Sequence, residues 1–159
     1  MSLAQQALIE LRSAHEYFTR STRNLAEEHS SFVPADGTMS VAQQVAHTAH
    51  TIEWFVEGAF RPEGFDTNWE QHAALIGRVT SLAEARAWCE RAVAGAIAKV
   101  EPLADADLLA PLPEGPIMGG VPRFAVFGAI VDHTAHHRGA LTVYARLKGV
   151  VPPMPYMDM

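Results

Sequence analysis

IVDHTAHHRGALTVYARLKG, residues 130–149, carries three histidines within five positions, His133, His136 and His137, in an otherwise apolar helical pattern. A helix advances about 100° per residue, so positions i and i+4 stand nearly above one another. His133 and His137 therefore share a face. Val126, Ile130, Ala140 and Tyr144 fall on the same face, which is the side expected to point into a helical core. His136 lies toward one edge of it. Gly149 is a natural terminator, and the spacing predicts a helix over about 121–148.

Working outward, three more segments show helical periodicity. The first covers about 2–29, with Leu8, Leu11, His15, Phe18, Thr22 and Leu25 at alternating three- and four-residue steps. The second covers about 40–60, with Ser40 as N-cap, Gln43 three residues on as in a capping box, and a stripe of Val41, Val45, Ala49, Ile52 and Val56. The third covers about 81–101, with Ser81 as N-cap and Glu84 at the third helical position. Its inward face is Leu82, Ala85, Cys89, Ala92, Val93, Ala96 and Val100. Residues 30–39 read as a turn, 61–80 as a longer connection holding a short helical piece, and 106–123 as too rich in proline and glycine for a long helix. The Pro- and Met-rich tail after Gly149 is expected to lie over the bundle. No segment reads as a convincing strand. The architecture expected is all-α, one domain over 1–159, an antiparallel four-helix bundle.

Composition narrows the function. The chain has 159 residues, 19% of them charged, and a formal net charge of −6. No stretch gathers the cations that phosphate-backbone binding needs, so nucleic acid is excluded as an expected partner. No apolar run is long enough to span a bilayer. The N-terminal stretch reads as an amphipathic helix rather than a signal peptide, which makes the cytoplasm the expected location. Cys89 is the only cysteine, so no intrachain disulfide is possible; a buried, inert thiol is expected.

Two inward-facing imidazoles one turn apart need a reason. Each neutral ring carries one N–H and one lone pair, and both must be satisfied away from water. A metal ion satisfies two lone pairs at once, and H-x3-H on a helix can hold two corners of such a site. A third ligand would come from SVAQQVAHTAHTIEWF, which offers His47 and His50. Neither lies on the Val41–Val56 stripe, and periodicity leaves the choice between them open. His15 belongs to the first helix's stripe, as a core residue or one near the site. His29 and His72 read as solvated. Asp132 and Glu53 are candidate acceptors for a ligand's free N–H. Arg138 projects away from the ligand face. Gly139, costly within a helix, suggests close approach of another helix or a second subunit.

The second-helix segment quoted above, followed after about 70 residues by DHTAHHRGALTVYARLKGVVPPMPY, resembles the DinB/YfiT-like superfamily. The resemblance covers most of the chain. It implies a four-helix bundle with one long crossover and a divalent metal, often nickel or zinc. Carried over by position, it implies His47, His133 and His137 as ligands, with His50 and His136 as non-ligating neighbours. It also implies a homodimer and a small-molecule substrate. Relatives include metal-dependent hydrolases and S-transferases or isomerases that use a low-molecular-weight thiol. Ala140 stands where relatives often carry Gln, which leaves the pocket's detail open.

A divalent ion held by three neutral imidazoles keeps its full charge and an open position, so it can lower the pKa of a water or of a thiol. The residues 115–127 and the tail are candidate pocket walls for a mostly apolar substrate. His50, His136 and Glu53 are the only visible general bases, and none is singled out as catalytic. Two other readings stand beside the enzyme: a non-catalytic metal-binding stress or scaffold protein, and a metal-free helical dimer with histidines as polar core residues.

Overall fold

The computed structural model describes residues 1–157. Among them the helices are α1 (Leu3–Thr22), α2 (Val41–Phe60), α3 (Trp69–Gly77), α4 (Leu82–Val100), α5 (Asp105–Leu109) and α6 (Ala125–Leu147). The four long ones, α1, α2, α4 and α6, form the bundle. An isolated antiparallel bridge between Pro111 and Pro122 is the one sheet-like pairing among the described residues.

Helix starts follow local chemistry. Ser40 Oγ accepts from the Gln43 N–H at 3.2 Å, while the Gln43 side chain accepts from the Ser40 N–H at 2.9 Å. This reciprocal cap satisfies two N–H groups that the first turn of α2 would otherwise leave open, a contribution of about 1 kcal/mol. At α4, Ser81 Oγ accepts from the Glu84 N–H, and the Glu27 carboxylate accepts from the N–H groups of Leu82 and Ala83 at 3.2 and 2.9 Å.

That use of Glu27 explains a difference from the expected boundaries. The first helix ends at Thr22 rather than running on to 29; a separate 3-10 turn, Glu27–His29, follows an extended Ala26. The break turns Glu27 toward the start of α4. His29 is buried rather than solvated, and its Nδ1 accepts from the Ala26 N–H at 2.8 Å. At the other end, α6 starts at Ala125 rather than 121. The N–H groups of Arg123 and Phe124 bond to the carbonyls of Ala110 and Leu108, so residues 121–124 pair with the preceding loop instead of opening the helix.

Residue pairings set the helix directions. Trp88 Nε1 donates to Glu53, and Lys99 lies over the Phe60 ring, so α2 and α4 run parallel. Arg86 donates to the carbonyls of Thr22 and Leu25, while Asp105 just beyond α4 accepts from the Leu3 N–H; α1 and α4 are antiparallel. Gln44 reaches Tyr144 and His47 reaches His133, making α2 and α6 antiparallel. The expectation of a purely antiparallel bundle is thus corrected, because the neighbours α2 and α4 point the same way. A parallel pair needs a connection that travels back along the roughly 30 Å of a 20-residue helix. Residues 61–81 with α3 provide this long crossover. It is clamped where Phe65 packs against Gly58, at a place where a Cβ would sit 2.2 Å from the Phe65 ring.

The core is continuous across the four helices, with Leu11, Val41, Val45, Leu82, Val100, Phe127, Ile130 and Leu141 almost fully buried. Helix α2 is buried on several sides, including Gln44, Val45, Thr48, Ala49 and Ile52, because it packs on both α4 and α6. Its Val41–Val56 stripe is therefore only one of its contact faces. The tail lies on the bundle as expected: Asn24 donates to the Val151 carbonyl at 3.1 Å, Arg20 donates to that of Pro155 at 3.3 Å, and Tyr156 packs edge-on against Tyr17.

Candidate metal centre

The inward face of α6 is the one anticipated: Val126, Ile130, His137 and Tyr144 are buried, and His133 is half-buried. From α2, His47 joins them. His133 Nε2 lies 3.2 Å from His47 Nε2 and 3.1 Å from His137 Nε2. The three ring centroids are 4.4 to 4.9 Å apart. One ligand atom from each ring falls within 4.8 Å of the others, and this is the one such cluster of metal-ligating groups among the described residues. His50 takes no part in it. Its ring stacks 4.7 Å from that of His72.

The donor set fits a divalent ion. Metal–nitrogen bonds of about 2.0–2.1 Å at tetrahedral angles put neighbouring nitrogens about 3.3 Å apart, close to the two Nε2 separations here. Protons alone do not satisfy the cluster. An Nε2–H on His133 can donate to one neighbour, and the nitrogen then has no lone pair for the other. A cation at the centre accepts all three lone pairs.

Electrostatics keep those lone pairs free. Burial pushes the His137 imidazole down to about 3, helped by the nearby rings of His133, His47 and His136. Burial and His47 push His133 down to about 4. His47 is lowered too, first by burial and then by His136. All three are neutral at pH 7. His47 and His133 keep partial exposure, so the cluster is reachable from outside rather than sealed in the core.

The acceptor behind the triad is not the one expected. Glu53 accepts from Trp88 Nε1 at 2.8 Å on the α4 side, and Asp132 is exposed; neither bonds a ring of the triad. Instead His137 Nδ1 bonds Gln44 Oε1. Gln44 Nε2 donates to Tyr144 Oη at 3.3 Å, and Tyr144 donates to the Met39 carbonyl at 3.3 Å. Sequence pattern did not single out Gln44, an amide three residues before His47 that lies off the Val41–Val56 stripe. His47 Nδ1 is buried without a protein partner.

Other expectations shift. His15 faces α4 beside Cys89 and Glu90, away from the triad. His72 is half-buried, with Nε2 3.2 Å from the Asp66 carbonyl. His136 is exposed. Arg138 does face away from the triad, stacking on Tyr17 and Tyr156. A Cβ on Gly139 would meet no atom within 4 Å, so no other helix among the described residues approaches it. A cavity of about 430 Å³ is lined by His50, Glu53, Trp54, Asp66 and His72, among others. It is built by α2, α3 and the crossover; of the tail, Tyr156 lines a separate cavity of about 330 Å³ with Ile9, Tyr17 and Val131.

Against known families, a model of the DinB superfamily matches residues 10–141. The chain belongs to the DinB superfamily. Among solved structures, this DinB protein resembles the DinB-like protein YjoA from Bacillus subtilis, with a TM-score of 0.70, 19% identity, and coverage of 97% of this chain and 99% of that one. It also resembles YfiT from Bacillus subtilis, described as a probable metal-dependent hydrolase with an unusual four-helix bundle topology. There the TM-score is 0.72 at 14% identity, covering 92% of this chain and 88% of that one. At these identities the likeness is one of fold. No curated protein matches. No helix among the described residues is long and apolar enough to cross a membrane.

Proposed function

We propose that this DinB protein is a divalent-metal-dependent hydrolase of a small molecule, with His47, His133 and His137 holding the ion. The carrying observation is the convergence of three neutral imidazoles from two helices through their Nε2 atoms. Imidazole donors suit zinc and nickel, and these are the metals proposed. When bound, such an ion supplies a lowered pKa to a water or a thiol and polarises an electrophile.

The chain's own residues do the rest. His137 is held in one orientation by Gln44. The half-exposed rings of His47 and His133 leave the centre accessible to a ligand. His50, three residues along α2 from His47, lines the cavity proposed to seat the substrate, whose walls do not include the triad itself. Glu53 and His50 face that cavity as candidate proton acceptors. Burial raises the Glu53 carboxyl, which makes its ionised form a stronger base, and lowers the His50 imidazole, which keeps a ring lone pair free. As proposed, the protein acts as a homodimer in the cytoplasm, without a nucleic-acid or membrane partner. The hydrolase description of YfiT supports hydrolysis over thiol transfer.

The test begins with metal analysis of untagged protein beside a His133→Ala/His137→Ala variant. Metal in the parent and none in the variant is expected; equal content in both overturns the site. Small electrophiles are then screened with and without a low-molecular-weight thiol. Turnover independent of thiol is expected. Turnover that requires thiol replaces hydrolysis by S-transfer, and bound metal without any turnover leaves a metal-binding scaffold.

A further inference from the structure

Gln44, Tyr144 and the Met39 carbonyl form a hydrogen-bonded chain that ends on a metal-site imidazole. Its direction follows from its far end. A backbone carbonyl only accepts, so Tyr144 spends its single O–H on Met39, 3.3 Å away. Tyr144 Oη is then an acceptor, and the group of Gln44 facing it at 3.3 Å must be the NH2. That leaves Oε1, which only accepts, against His137 Nδ1. The ring must carry its proton on Nδ1 and present a bare Nε2 to His133 and His47. Gln44, Tyr144 and His137 are each less than 8% exposed, so water competes poorly for any link.

We propose that Gln44 is a positioning residue that fixes His137 as the Nδ1–H tautomer before any ion arrives, with the polarity of the relay set by the Met39 carbonyl through Tyr144. The choice of an amide carries a second consequence. A carboxylate is a common partner for a ligating histidine and adds negative charge to the site. Gln44 orients the ring without that charge. Three neutral imidazoles and a neutral amide leave a divalent ion's charge undiminished, which favours anionic ligands at the open position.

The tautomer is read first, by long-range proton–nitrogen NMR on metal-free protein at neutral pH. A protonated Nδ1 and bare Nε2 on His137 are expected in the parent, and a changed tautomer distribution in Tyr144→Phe. A protonated Nε2 in the parent, or an unchanged distribution in Tyr144→Phe, overturns the relay. Cobalt(II) affinity is read second, by competition with a chelator. Gln44→Leu is expected to weaken it roughly 10–100-fold, the usual cost of removing a ligand's hydrogen-bond partner. Gln44→Glu restores the acceptor and the affinity but weakens azide binding to the cobalt protein.

A Gln44→Leu protein that folds by circular dichroism and binds cobalt as tightly as the parent overturns the proposal. Should that variant not fold, Tyr144→Phe and Gln44→Glu still decide it. Only the second readout rests on the metal-centre reading. A parent with the expected tautomer that takes up no cobalt overturns the proposed function and leaves the relay standing.

Discussion

His133 Nε2 and His137 Nε2 stand 3.1 Å apart, one turn of α6 from each other, with His47 Nε2 3.2 Å from His133 across the helix interface. Lone pairs held this close are stabilised by a cation shared among them. Chelation is therefore expected to lower the melting temperature of the metal-loaded protein. By mass action the loss is about 2.7 kcal/mol when the free ion had been at 100 times its Kd. Thermal melts with and without chelator check this, and the His133→Ala/His137→Ala variant should show no difference between the two.

The same histidines make metal-free stability depend on pH. In the folded state His133 titrates near 4 and His137 near 3, against about 6.5 in an unfolded chain. Between those values the unfolded chain binds more protons, so stability rises with pH across the window. Acidification from about 6.5 toward 4 is expected to destabilise the protein progressively. Denaturant midpoints across that range measure the effect, and His137→Ala should flatten the curve.

Glu27 gives an acid dependence at lower pH. Hydrogen bonds from the Ala83 N–H, first, and from Ser81, Ser30 and Leu82 hold its carboxyl below the usual 4.5. Its contribution is present above the unfolded value and is lost as pH falls through the depressed folded one. Glu27→Gln is expected to lower the melting temperature at neutral pH and to narrow the gap from the parent in acid. Melts at several pH values read both arms.

Cys89 is expected to be unreactive. Burial, with Glu90 and Glu53 nearby, pushes its thiol up to about 12, so almost no thiolate exists at neutral pH. A thiol reagent should label the native protein far more slowly than the urea-unfolded chain. Rapid native labelling would contradict the packing around α4.

Gly139 is exposed and its missing side chain would meet open space. Helix propensity alone then makes Gly139→Ala stabilising by up to about 1 kcal/mol. Denaturant titration measures this, with light scattering on both proteins alongside. Loss of a dimer in the variant would instead place Gly139 at a subunit contact.

The pattern of residues located the four long helices and half of the candidate site. Periodicity marks the buried face of α6, and His133 and His137 share it because i and i+4 must. Ser40 with Gln43 and Ser81 before Leu82 mark two helix starts because caps are local chemistry. What lay beyond a turn or two was decided in three dimensions. His47 rather than His50 meets α6 because α2 is buried on more than one side, and no single stripe says which side faces which neighbour. The parallel course of α2 and α4, the break after Thr22 that delivers Glu27 to α4, and the Gln44–Tyr144 support behind His137 join residues far apart in the chain. Local spacing carries no record of such pairings. They exist only once the helices pack and each buried polar group has found its partner.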